Sequence, residues 1–243
     1  MRVVVFDLDD TLCKEIEFLK SAYMEIADYA AQMCTSSRVP MNELVGKTYK
    51  AMMNAYHSGR NAFETLNAFL GLNLHISDLL QMYREHAPHI LLEDDVRYTL
   101  DSLKAEGVLM CIISDGRELT QWNKVRALEL TEWMDESCII INSSQECFKP
   151  NPYGYERLIE SVRALAPEEE LTFTYVGDNL NKDFIYPNLH GWQTVCLKDD
   201  GRNIHPQDFH AVPAEALPGK VIKSLREILD LTFSNVNTMR FSC

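Results

Sequence analysis

Asp7, Asp9 and Asp10 place three carboxylates within four positions, directly after the apolar run 3–6 and directly before Thr11. Like charges that close repel, and carboxylates at the buried end of a strand are costly to desolvate. A divalent cation is the obvious compensating partner. Three further apolar runs lead into groups of related chemistry. Run 108–114 ends in Ser114, Asp115 and Gly116; run 137–142 is followed by Lys149; run 173–177 is followed by Asp178, Asn179 and Asp183. In an open parallel sheet, ligands bind beyond the carboxyl ends of the strands. Four successive strand ends would then present carboxylates, a hydroxyl and one lysine to the same region.

The elements that must position them are legible as pattern. Runs 3–8, 108–114, 137–142, 173–177 and 194–197 are continuously apolar rather than alternating, as strands covered on both faces require. Tyr155, Leu158, Ile159, Val162 and Leu165 follow helical spacing, with Asn151 placed as the cap and Pro152 at the first position. Val221, Ile222, Leu225, Ile228 and Leu229 predict a further helix. Strands alternating with helices predict an α/β fold, a doubly wound, Rossmann-like parallel sheet.

The stretch between Thr11 and run 108–114 is far longer than one crossover helix needs. Ile16, Leu19, Tyr23, Ile26, Ala30 and Met33 repeat at helical spacing, and helical patterns continue through 44–56, 63–70 and 79–86. These predict an all-helical domain inserted at 14–90, with 1–13 and 91–243 forming the α/β core and 93–106 a helix leading back to the sheet. Met24, Met33, Met52, Met53 and Met82 read as core of the insert. Segment 199–219, with three prolines, reads as a long loop, and the residues from 234 as a loose tail.

The chain has 243 residues, 46% of them hydrophobic, which is enough for a sizeable core. Its net charge of −13 argues against nucleic-acid or anionic-membrane partners. A small anionic substrate stays compatible, because a local cation can reverse the field in one cleft. Seven cysteines at irregular spacing, with no CxxC, predict reduced thiols in a cytoplasmic protein. The N-terminal strand meets Asp7 too early for a signal peptide, and no uncharged apolar run is long enough to span a membrane.

In order and spacing, DLDDT, CIISDG, KPNP and GDNLNKD resemble the four motifs of the haloacid dehalogenase superfamily, over the whole α/β core. The resemblance implies a phosphatase-type hydrolase with a helical C1 cap (subfamily I) that cleaves a small phosphorylated metabolite with Mg²⁺. Asp7 would be the nucleophile and become an aspartyl phosphate. Asp9 would protonate the leaving oxygen and then activate water. Asp7 and Asp178, with the backbone carbonyl of Asp9, would ligate Mg²⁺. Lys149 and Ser114 would hold phosphoryl oxygens, helped by the amides of Asp115 and Gly116. Thr11 would belong to the same substrate site, and Asn179 and Asp183 would support it. Members that cleave carbon–halogen or phosphonate bonds lack an acid two residues after the nucleophile, so Asp9 favours an oxygen ester. Asp115 stands where many relatives carry Asn, and would point away or face a substrate hydroxyl. A phosphomutase using the same aspartyl phosphate, and a non-catalytic binding protein that kept the fold, are the alternatives. Intact Asp7, Asp9, Lys149 and Asp178 count against the second.

Overall fold

Three valines and a phenylalanine make β1 (Arg2–Phe6), and their side chains alternate between two buried faces. Val4 and Phe6 join one apolar cluster; Val3 and Val5 join another on the opposite face. Burial on both faces is why the run reads as continuous rather than alternating. The computed structural model describes residues 1–34 and 38–233. The tail expected from 234 lies outside the described residues.

Four helices follow β1: α1 (Glu15–Met33), α2 (Met41–His57), α3 (Ala62–Leu70) and α4 (Ile76–Glu85). The chain returns through α5 (Asp94–Ala105) to β2 (Leu109–Asp115), α6 (Glu118–Ala127) and β3 (Ile139–Asn142). It continues through α7 (Pro152–Leu165), β4 (Thr172–Gly177), α8 (Ile185–Leu189), β5 (Gln193–Leu197), β6 (Lys220–Ile222) and α9 (Glu227–Phe233). The six strands lie in the order β3-β2-β1-β4-β5-β6, every neighbouring pair parallel, which is the expected doubly wound sheet. Phe6 is level with Ile112 of β2 and Val176 of β4. That register brings Asp7, the Ser114–Asp115 end of β2 and Asp178 to one edge.

The cap of α7 is as expected: the Asn151 side chain accepts from the Tyr153 amide at 2.9 Å, and Pro152 opens the helix. The helix expected from Val221 to Leu229 is a correction. Val221 and Ile222 lie in β6, and Ile228 and Leu229 lie in α9. A short strand, a turn and a short helix put apolar residues three or four apart, which mimics a helical stripe. The turn is fixed by Glu227 Oε1, which accepts the amides of Lys223 at 2.8 Å and Ser224 at 3.0 Å.

Helices α1–α4 pack around Leu19, Tyr23, Ile26, Met52, Leu66 and Leu79, a cluster separate from the two that cover the sheet. Met52 and Met53 are buried there, but Met24 and Met33 stand 44% and 46% exposed on the outer face of α1, against the expectation. The end of α4 is pinned from two sides. His86, buried, meets Ser21 Oγ at 2.7 Å through Nε2 and the Glu25 carboxylate through Nδ1. From the other side, Thr120 Oγ1 of α6 donates to the Arg84 carbonyl at 2.6 Å, and Asn123 Nδ2 donates to the Glu85 and His86 carbonyls.

The six described cysteines carry free thiols. Among the described residues, no helix is long and apolar enough to cross a membrane.

Candidate active site

Asp7 continues β1, its amide donating to the Val176 carbonyl at 2.8 Å, so its carboxylate emerges at the buried edge. Lys149 reaches the same point from the loop before α7. Its ammonium lies 2.7 Å from Asp7 Oδ1 and 2.8 Å from Asp183 Oδ1, and donates to Tyr175 Oη at 2.9 Å and the Ile113 carbonyl at 3.2 Å. Burial opposes the lysine's charge, but Asp183 and Asp7 outweigh it and hold Lys149 well above its ordinary range. Burial, with Asp183 adding repulsion and Lys149 opposing, lifts the Asp7 carboxyl to about 6. Burial, then Asp183 and Asp7, lifts Asp178 to about 9.

Oxygens of Asp7, Asp178 and Asp183 lie within 4.8 Å of one another, and all three residues are buried. Their hydrogen bonds separate their roles. Asp183 Oδ1 is taken by Lys149, and Oδ2 accepts the amides of Asp178 at 3.2 Å and Asn179 at 2.9 Å. Asp183 therefore shapes the turn that carries Asp178 and Asn179. Gly177 is required there, since a Cβ would lie 2.8 Å from the Asp183 carboxyl carbon. Asp7 and Asp178 each keep one oxygen that meets no donor among the described residues. Hard, paired, buried carboxylate oxygens of this kind fit a hard divalent cation.

Asp9 leaves this cluster. Its oxygens take Lys124 Nζ at 2.6 Å and Gln121 Nε2 at 2.8 Å. Burial opposes its charge, but Lys124 overcomes it and holds the Asp9 carboxyl below its ordinary range. Gln121 Nε2 also lies 2.6 Å from Ser114 Oγ, linking the second strand end to the first.

Asp115 lines the same cavity as Asp7, and both of its oxygens are engaged. Its Oδ1 accepts from Asn142 Nδ2 at 2.9 Å and the Lys149 amide at 3.1 Å, and its Oδ2 pairs with Lys182 Nζ at 3.1 Å. The carboxylate at this position is matched by a lysine four residues beyond Asp178.

Gly116 and Thr11 are two of the residues expected in the substrate site. The Gly116 amide donates to the Asn142 carbonyl at 3.0 Å, so it is spent on the loop. Gly116 adopts φ +149, and a Cβ would press on the Gln121 side chain at 3.2 Å. Thr11 is buried beside Leu12 and Lys14 in a different pocket, with its hydroxyl unpaired.

Sequence reasoning missed Lys124 and Gln121, three residues apart on one face of α6. It also missed Lys182, inside the GDNLNKD motif, and the Asn203 amide that donates to Asp178 Oδ2 at 2.9 Å. Asp10 is a structural tie: at φ +58, its oxygens accept the amides of Glu15 and Ile204, both at 3.0 Å. It fastens the start of α1 and the loop 199–212 to the acidic turn.

Asp7, Asp9, Asp178, Lys149 and Lys182 line a cavity of about 210 Å³, with Glu15 at the start of α1 on its wall. Burial and the neighbouring Asp9 lift Glu15 to about 7. With Asp7 near 6 and Asp178 near 9, the metal-free folded chain holds protons that the unfolded chain has released. Stability therefore falls as pH rises between roughly 4 and 9. Asp9 and Asp115, held low, act oppositely, and only below about pH 4. The melting temperature in EDTA is expected to decline from about pH 5 to about pH 9, and a divalent cation to flatten the decline. A melting temperature that rises across this window would contradict the charge arrangement.

The chain is 26% identical over 205 residues to a glyceraldehyde 3-phosphate phosphatase of Pyrococcus furiosus, covering 82% of this chain and 81% of that one. A phosphatase structure from Thermococcus onnurineus superimposes with a TM-score of 0.56 at 19% identity, covering 96% and 98% of the two chains. A Bacillus subtilis protein of the same fold, solved with magnesium bound, gives 0.55 at 18% identity over the same shares. The family model for haloacid dehalogenase-like hydrolases matches residues 4–195, from the second valine of β1 to the middle of β5, and the protein belongs to that family.

Proposed function

We propose that the chain is a Mg²⁺-dependent phosphoric monoester hydrolase that works through an aspartyl phosphate on Asp7. The observation that carries this reading is the separation of two carboxylates two residues apart. Asp7 lies in the cation-ready cluster with Lys149 and Asp178; Asp9 is held outside it by Lys124 and Gln121. One carboxylate is thus free to attack phosphorus and the other to move a proton. The 26% identity to a named phosphatase supports the same reaction class.

Asp7 and Asp178 would hold the cation, which when bound supplies charge neutralisation for the phosphoryl group. The free oxygen of Asp7 attacks phosphorus while Lys149 Nζ faces the charge that develops on the phosphoryl oxygens. An entering phosphoryl dianion opposes the charge that Lys124 favours on Asp9, so Asp9 takes up a proton on substrate binding, delivers it to the departing alkoxide, then takes one from the water that cleaves the acyl phosphate. Residues 14–90 act as a cap whose helices enclose a small substrate and exclude bulk water.

The test is phosphate release from p-nitrophenyl phosphate and a panel of metabolite phosphates, with Mg²⁺ and then with EDTA. Metal-dependent release is expected. Its absence for every compound would overturn the reading. Asp178→Asn is expected to raise the Mg²⁺ concentration for half-maximal rate at least about tenfold. An unchanged metal response would remove Asp178 from the cation site. Lys124→Met leaves Asp9 without its anchor. It is expected to slow alkyl phosphate hydrolysis about 10–100-fold and p-nitrophenyl phosphate hydrolysis much less, because nitrophenolate needs no proton to leave. Equal losses on both would remove Lys124 from the positioning of Asp9.

A further inference from the structure

We propose that Glu15 selects the organic half of the substrate, so that the cleft takes phosphoesters of short, uncharged, hydroxylated alcohols and rejects those carrying a second anion. This inference rests on the phosphoesterase reading above and adds what that reading leaves open.

The charges of the cavity wall point this way. Six carboxylates and two lysines line it, and no arginine does. Both lysines are already committed, Lys149 to Asp7 and Asp183 and Lys182 to Asp115. Lys124, behind the wall, is committed to Asp9. A phosphoryl dianion would share the cation and Lys149 with Asp7 and Asp178. A further carboxylate on the substrate would find no unpaired lysine or arginine on the cavity wall, only the His205 imidazole, and it would have to approach Glu15. Like charges brought together in a half-buried cleft are strongly disfavoured.

Glu15 differs from the other five carboxylates of the wall. Asp7, Asp9, Asp10, Asp115 and Asp178 each accept at least one hydrogen bond from a described donor. The Glu15 carboxylate accepts none among the described residues, although its backbone is fixed by the Asp10 carboxylate at 3.0 Å. It is an unspent acceptor at a fixed place, and a hydroxyl group on the substrate would satisfy it. The phenols of Tyr56 and Tyr83, in the helical insert, also lack a described hydrogen bond. Both lie within the field of Glu15, which adds to burial in pushing them up. The cavity of about 210 Å³ sits below the usual range of ligand pockets, which suits a phosphoryl group with only a few further heavy atoms.

Glycerol 3-phosphate and 3-phosphoglycerate isolate the difference, since they share chain length and phosphate position and differ in a carboxylate. The ratio of their kcat/KM values is measured within each enzyme with Mg²⁺ at about pH 8, so it does not depend on the folded fraction. The wild-type chain is expected to favour glycerol 3-phosphate at least about tenfold. Glu15→Gln, which keeps the shape and removes the charge, is expected to reduce the ratio about tenfold, and Glu15→Lys to reverse the preference. Equal turnover of the two compounds by the wild-type chain, or a ratio that neither variant shifts, would overturn the role of Glu15. Those results would leave the phosphatase reading standing if p-nitrophenyl phosphate is hydrolysed. Failure to hydrolyse any of the three compounds would overturn both readings.

Discussion

Asp7→Asn is expected to lose at least about 10⁴-fold in kcat while keeping the fold. The amide has nearly the shape of the carboxylate but cannot attack phosphorus, so the first step has no nucleophile. The stability expectation has the opposite sign. Asp7 is buried within a group of three carboxylates, and its raised pKa, about 6, shows that its charge is resisted there. Removing that charge relieves repulsion on Asp178 and Asp183, and Lys149 keeps Asp183 as its partner. The metal-free variant should therefore melt no lower than the metal-free wild-type chain at about pH 8. Activity near the wild-type level would remove Asp7 from the chemistry. A large fall in melting temperature would show that Asp7 acts chiefly as a structural anchor for Lys149.

Lys149→Met should damage both activity and stability. The lysine side chain is fully buried and faces Asp7 and Asp183 at 2.7 and 2.8 Å. Methionine fills a similar volume but leaves those carboxylates without their counter-charge. Breaking a buried ion pair from one side costs on the order of 3–5 kcal/mol. A divalent cation can supply part of the missing positive charge, so Mg²⁺ should restore part of the lost stability. It should not restore the rate, which is expected to fall about 10³-fold through loss of a donor facing the phosphoryl oxygens. Denaturant titration with and without Mg²⁺ checks the first effect, and steady-state kinetics the second. A variant as stable as wild type in EDTA would contradict the ion-pair account.

The sheet was legible because strands buried on both faces leave an uninterrupted apolar record, and the strand ends were marked by Asp7, Ser114 and Asp178. The junction at 221–229 was not, because a three-residue edge strand and a short helix share the spacing of one longer helix. Asp9 was visible as an acid, but its placement outside the cation cluster depends on Lys124 and Gln121. Those two are ordinary residues of α6 until the register of β2 aims that helix at the first strand end. Asn203 reaches Asp178 from a loop with no periodicity to read; Lys14 holds its side-chain oxygen, and the next backbone amide is held by Asp10, whose own role depends on a left-handed backbone. The Asp115 departure from the common pattern was visible, whereas its explanation, Lys182, required the turn that Asp183 closes.

The aspartyl phosphate is the central claim, and it can be looked for directly. The chain would be quenched during turnover of p-nitrophenyl phosphate with Mg²⁺, reduced with borohydride and digested, and the peptide containing residue 7 weighed. An acyl phosphate on Asp7 reduces to homoserine, so homoserine is expected at position 7, dependent on substrate and metal and absent in Asp7→Asn. Metal-dependent phosphate release with an unmodified Asp7, under quench times that resolve a single turnover, would contradict it.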